Sequence, residues 1–136
     1  PENEVVSNFI GAPNILDCDC CRDLGHGVVE ANCGGLPIIV AHDGNSVDRI
    51  ALLPRDIYVS DTLPQGPGVN RFRGTITKIW YADDSVRIEV SVGKQNLVAE
   101  VPHHIFAEMN LEVGKEVFLI LKLRRIRAYE CRCDHK

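Results

Sequence analysis

Val86-Arg87-Ile88-Glu89-Val90-Ser91-Val92 alternates apolar and polar residues with a period of two. In an extended chain successive side chains point to opposite faces. Val86, Ile88, Val90 and Val92 therefore share one face, and Arg87, Glu89 and Ser91 the other, as in a half-buried strand. Leu97, Ala99 and Val101 repeat the pattern, and the run from Val117 to Leu123 is apolar on both faces, as for a strand covered on both sides. Upstream, Ile15 to Cys21, Gly27 to Cys33, Leu36 to Ala41, Arg49 to Leu53 and Ile57 to Ser60 read as shorter strands. Turn signals separate them at Leu24-Gly25-His26-Gly27, Gly34-Gly35 and Asp43-Gly44-Asn45. Asp83-Asp84 reads as a hairpin turn, and Ile105 to Asn110 as one or two helical turns plugging a barrel end. The expected class is all-β: two tandem small barrels of the oligonucleotide/oligosaccharide-binding type with one short helix.

The tandem reading comes from internal repetition. One copy opens with Asn14-Ile15-Leu16 and closes with Leu53-Pro54-Arg55-Asp56-Ile57-Tyr58-Val59. A longer one opens with Asn70-Arg71-Phe72-Arg73-Gly74 and closes with Lys122-Leu123-Arg124-Arg125-Ile126-Arg127-Ala128. Between them, residues 61–69 hold Pro64, Gly66, Pro67 and Gly68 and read as a linker. The expected organisation is a lead-in at 1–13, copies at 14–60 and 70–130, and a cysteine-containing tail at 131–136. In the lead-in, Val5, Val6, Phe9 and Ile10 have helical spacing, which Gly11-Ala12-Pro13 stops. Paired β-modules more often build a binding seam or a dimer surface than a catalytic centre.

Composition narrows the function classes. Of 136 residues, 45% are hydrophobic, which is enough for a core. The formal charge of −4, from 15 Lys and Arg against 19 Asp and Glu, gives no global basic field for nucleic acid. Only 6% of residues are aromatic, too few for base-stacking platforms, so no nucleic-acid partner is expected. No apolar run approaches the roughly 20 residues that cross a bilayer. Pro1-Glu2-Asn3-Glu4 is polar and no apolar targeting core follows it, so a cytoplasmic location is expected. No phosphate loop or nucleophile elbow is present, and the chain is expected to be non-catalytic.

The second copy resembles the molybdate/tungstate-binding module called the Mop or TOBE domain. Asn70-Arg71-Phe72-Arg73-Gly74-Thr75-Ile76 is similar to its opening "Asn-x-Leu-x-Gly-x-Val". Leu97-Val98-Ala99-Glu100-Val101 stands at its "Leu-x-Ala-x-Ile/Val-Thr", and Leu111-Glu112-Val113-Gly114-Lys115-Glu116-Val117 at its "Leu-x-x-Gly-x-x-Val". The lead-in looks like the segment that leaves the nucleotide-binding domain of ABC importer ATPases. Leu53-Pro54-Arg55-Asp56-Ile57 is similar to the "Ile/Leu-Arg-Pro-Glu-Asp-Ile/Val" that ends the first copy there, with Pro and Arg in swapped order.

The resemblance implies the regulatory C-terminal domain of an importer ATPase, cut from a longer protein. It implies a homodimer, a parent ATPase domain and membrane permease partners. It also implies trans-inhibition, in which internal molybdate or tungstate binds the regulatory interface. Asn70, Arg71 and Lys122 are its candidate oxyanion-binding residues, since a tetrahedral dianion needs many donors in a dry pocket. The chain departs from the pattern elsewhere: Val69 replaces the usual Arg, Pro102 and Ile105 replace hydroxyl residues, and Leu123 a small one. A sugar- or other-substrate importer whose domain docks a protein regulator therefore stays open. Arg124, Arg125 and Arg127 with Arg71 and Arg73 form a possible basic patch, with a solvated or ion-paired strand face as the plainer reading.

The family does not explain the six cysteines. Cys18 and Cys20 share a strand face, with Cys21 opposite, and Cys131 and Cys133 form a second C-x-C pair. Cys18, Cys20, Cys131 and Cys133 are thus candidate soft-metal ligands, and a thiol-based metal or redox module is a further alternative. The C-x2-C spacing of structural zinc sites is absent, and free thiols in a reducing compartment are the plainer reading. His26, His103, His104 and His135 have no ligand spacing with the cysteines.

Overall fold

The computed structural model describes residues 12–44 and 46–130. Residues 1–11 of the lead-in, Asn45 of the expected Asp43-Gly44-Asn45 turn, and the tail with Cys131, Cys133 and His135 lie outside the described residues. The described residues form eleven strands: β1 (Asn14–Asp17), β2 (Cys20–Gly25), β3 (Val28–Cys33), β4 (Leu36–Ala41), β5 (Arg49–Leu52), β6 (Ile57–Ser60), β7 (Arg71–Tyr81), β8 (Val86–Val92), β9 (Gln95–Val101), β10 (Glu116–Leu121) and β11 (Arg127–Tyr129). One short helix, α1 (His103–Glu108), and 3-10 turns at Pro54–Asp56 and Leu123–Arg125 complete the chain. The fold is mostly β with OB-like curled sheets, as the alternation predicts.

The period-two reading survives at residue resolution. In β8, Val86, Ile88, Val90 and Val92 are buried while Arg87, Glu89 and Ser91 are half-buried. In β10, Val117, Leu119 and Leu121 enter the core, but Phe118 and Ile120 are only partly covered. The outer face of that strand is shielded by charge: the Arg73 guanidinium lies 5.9 Å from the Phe118 ring centroid. Leu123 leaves the expected strand and enters a 3-10 turn. The helix begins at His103, not Ile105, and Asn110 turns the chain out of it with φ 54°, a left-handed position that asparagine tolerates.

The strands pair in three antiparallel sheets, β1-β5-β11, β2-β3-β4 and β6-β10-β7-β8-β9. Their registers expose an internal two-fold relation. Asn14 pairs with Leu52 on β5, and the Asn70 carbonyl accepts from the Leu121 N–H on β10. Thus β1 corresponds to β7, β5 to β10, and β6 to β11. Yet β6, which closes the first copy in sequence, pairs with β10 of the second, Ile57 opposite Leu121. Reciprocally, β11 pairs with β5 of the first, Arg127 opposite Ala51. Each copy lends its last strand to the other, and Ile57 and Ile126 are buried at equivalent places. One hydrophobic cluster runs through both.

The two opening asparagines lock this exchange. The Val98 N–H donates to Asn14 Oδ1 at 2.7 Å, and Asn14 Nδ2 donates to the Val98 carbonyl at 2.9 Å. The Ile39 N–H donates to Asn70 Oδ1 at 2.7 Å, and Asn70 Nδ2 donates to the Ile39 carbonyl at 2.8 Å. Each side chain therefore acts as one rung of sheet pairing against the opposite copy, on β9 and β4 respectively. Burial makes such amide pairs costly to break, because the backbone groups would be left unsatisfied.

The expected single strand Ile15 to Cys21 is instead two, β1 and β2, interrupted at Cys18 and Asp19. The equivalent β7 is continuous through Gly74. A Cβ at Gly74 would lie 2.6 Å from the Ser91 carbonyl oxygen and 2.6 Å from Val90 Cγ1, so the unbroken path requires glycine there. Counting from the two asparagines, Cys18 occupies the corresponding place. A side chain there cannot follow the same path, and the strand breaks.

Candidate functional site: an arginine groove between the copies

The two 3-10 turns face each other across the internal two-fold. Each follows a buried strand and precedes an exchanged one, so the topology brings Leu53-Pro54-Arg55-Asp56 against Lys122-Leu123-Arg124-Arg125. Between them lies a groove of about 770 Å³ whose polar lining includes Arg55, Asp56, Arg124, Arg125, Arg127 and Tyr129. Four arginines face one aspartate there, although the whole chain carries a formal charge of −4. Arg125 Nε approaches Asp56 Oδ1 at 3.9 Å. Asp56 is the less exposed partner, at 14% of its side chain against 68% for Arg125. Arg55, Arg124 and Arg127 make no ion pair among the described residues. Unpaired guanidiniums at the mouth of a concavity are suited to a multiply charged anion with oxygen acceptors.

The sequence-derived candidates fall around this groove in different ways. Lys122 is exposed and immediately precedes the second turn, with its N–H directed to the Asp56 carbonyl at 3.4 Å. Asn70 is 3% exposed and its amide is committed to Ile39, so its role in the fold is internal pairing. It holds φ 55° and, through its own carbonyl, the N–H of Leu121 next to Lys122. Arg71 donates from Nη1 to the Pro64 carbonyl at 2.8 Å, tying down the linker. The basic patch expected from five arginines divides. Arg73 lies over Phe118 and 3.7 Å from Glu116, Arg71 holds the linker, and Arg124, Arg125 and Arg127 gather instead with Arg55. Sequence reasoning missed Arg55; the one signal for it is the repeat, which aligns Arg55 with Arg124.

Among the described residues Cys18 lies beside Cys33, and the other expected pair, Cys131 and Cys133, lies outside them. Cys20 is exposed on β2, whereas Cys18 sits in the strand break with its Sγ 2.7 Å from Sγ of buried Cys33. Hydrogen bonding from Cys33 holds the Cys18 thiol below its usual range despite burial and the neighbouring Asp17, Asp19 and Asp48. The Cys33 thiol is correspondingly pushed far up, through the same bond and its burial. Cys21 is structural: Val47 N–H donates to its sulfur at 3.0 Å and its thiol donates to the Val47 carbonyl at 3.2 Å. Among the described residues no three His, Cys, Asp or Glu side chains gather as a metal site. His103 Nε2 contacts the Ala82 carbonyl at 2.8 Å. Trp80 is half-buried near the end of β7.

Comparison with known proteins agrees with this architecture. Residues 66–128 match the TOBE domain. Over 129 residues the chain is 25% identical to the molybdate/tungstate import ATP-binding protein WtpC of Pyrococcus abyssi, and homologous to it. That match covers 95% of this chain but 36% of the relative, so the chain spans about a third of that protein's length. The crystal structure of the cytoplasmic molybdate-binding protein ModG, with molybdate bound, superimposes with a TM-score of 0.70 at 13% identity. It covers 86% of this chain and 95% of ModG, a likeness of fold. The TOBE match accords with a non-catalytic binding or regulatory domain. No helix among the described residues is long and apolar enough to cross a membrane.

Proposed function

We propose that this chain is the ligand-sensing regulatory domain of an ABC importer ATPase that handles molybdate or tungstate. The arginine groove carries this reading. It offers a concentrated positive field to a small dianion, and Lys122 immediately precedes the turn that carries Arg124 and Arg125, after Leu121, whose N–H the Asn70 carbonyl holds. Homology to an import ATP-binding protein supplies the context of an ATPase domain and permease partners on the cytoplasmic side of a membrane. In that setting, anion binding at the groove favours one arrangement of a homodimer over another. The anion shifts the ATPase only by as much as it prefers the inhibited arrangement. Exposed Ile15 and Tyr129, on the neighbouring β1-β5-β11 sheet, offer apolar area for the dimer contact.

The test is a thermal-shift series with molybdate, tungstate and sulfate, on the wild-type chain and on the Arg55→Ala/Arg124→Ala variant. A ligand present at 100 times its Kd stabilises by about 2.7 kcal/mol, which is readily seen as a rise in Tm. Molybdate and tungstate should raise Tm in the wild type and lose most of that effect in the variant. No shift at millimolar anion would remove the sensing role. An undiminished shift in the variant would move the site away from the groove. A dimer without any anion response would favour the docking of a protein regulator.

A further inference from the structure

Cys18 and Cys33 are set together by features that the second copy lacks. Their counterparts there are Gly74 and Val92: Gly74 is the same number of residues beyond Asn70, and Val92 opposes Gln95 as Cys33 opposes Leu36. A Cβ on Gly74 would meet Val92 Cγ2 at 2.7 Å, so these two positions face each other across the module. In the first copy both carry sulfur. Cys33 is fully buried at the end of β3, and Cys18 is half-exposed where β1 gives way to β2.

The 2.7 Å separation of the sulfurs selects among thiol chemistries. A metal held by two thiolates at about 2.3 Å in tetrahedral geometry keeps them roughly 3.8 Å apart. A disulfide needs about 2.05 Å, a short approach from the observed position. We propose that Cys18 and Cys33 form a reversible dithiol–disulfide site, oxidised by hydroperoxides, that clips the β1-β5-β11 sheet to the β2-β3-β4 sheet. With hydrogen peroxide, the Cys18 thiolate, its proton already released to solvent, attacks one peroxide oxygen, the O–O bond breaks, and the departing hydroxide takes up a proton from solvent to leave as water. Cys33 sulfur then attacks the resulting sulfenic sulfur. The S–O bond breaks, and hydroxide leaves with the Cys33 proton as a second water. Two electrons pass from the thiols to the peroxide. The depressed thiol of Cys18 and its access to solvent fit the attacking role, and buried Cys33 the resolving one. This site is separate from the anion groove and stands whether or not the groove binds oxyanions.

The fully reduced protein is treated with stoichiometric hydrogen peroxide, digested without reductant and mapped by mass spectrometry, beside Cys18→Ser and Cys33→Ser. The expected product is a peptide pair joined through Cys18 and Cys33, lighter by two hydrogens, reversed by dithiothreitol and absent in both variants. Oxidised wild type should gain several degrees in Tm over the reduced form, as closing a loop constrains the unfolded chain. Alkylation of reduced Cys18 should persist to lower pH than for an ordinary thiol, and Cys33→Ala should move that midpoint upward. A folded protein in which peroxide joins other cysteines, or leaves Cys18 as sulfinic acid without a link to Cys33, would overturn the proposal.

Discussion

Single side chains decide how each copy begins. Asn14 and Asn70 sit at matched places, and each closes a two-bond contact with one backbone residue of the opposite copy, Val98 or Ile39. Four residues further on, the copies part company: glycine at 74 permits a continuous strand, whereas Cys18 interrupts it. Gly74→Ala would press a Cβ against the Ser91 carbonyl and the Val90 and Val92 side chains. Backbone on one side and buried β-branched groups on the other leave little room to yield. The variant should lose about 1–3 kcal/mol, typical of overpacking, in urea-induced unfolding. A change below a few tenths would show that β7 adjusts as the first copy has done. The motif glycine was visible in the sequence; that Cys18 takes its place opposite Cys33 was not, since fifteen residues separate them along the chain.

At the scale of elements, exchange of the last strands is the central feature. Alternation in 86–92 and in 95–101 made β8 and β9 legible, because a strand with one wet face writes its period into its composition. The short strands β6 and β11 carry the same apolar alternation, but nothing in their own residues names the partner strand. The partner follows from the 3-10 turns at Pro54–Asp56 and Leu123–Arg125, which redirect the chain across the internal axis. Ile57, the first residue of β6, is 2% exposed, and Ile126, immediately before β11, is 6% exposed. Ile57→Ala and Ile126→Ala should each cost about 2–5 kcal/mol, the range for truncating a buried Ile. Hydrogen exchange should report the loss in both copies for either variant. Protection lost only in the copy that contains the mutation in sequence would contradict the exchanged pairing.

For the whole molecule, exchange means that two of the three sheets, β1-β5-β11 and β6-β10-β7-β8-β9, each take a strand from both copies. The chain should unfold in a single transition by fluorescence of Trp80 and by far-UV circular dichroism, with coincident midpoints. A fragment spanning residues 70–130 alone lacks β6, which covers the free edge of β10, and lacks Ile39, the partner of Asn70. It should remain largely unfolded or associate through that edge, as its dichroism and sedimentation would show. A stable, monomeric 70–130 would mean that exchange adds little. The sequence by itself determined the all-β class and the presence of one short helix. These follow from local periodicity and turn chemistry, written in near neighbours. Tertiary structure alone decided which copy each terminal strand completes, that Arg55 and Arg124 share a groove, and that Cys18 meets Cys33. Those depend on contacts between residues far apart in the chain. They are fixed by burying one continuous core while satisfying the backbone groups that the two asparagines hold.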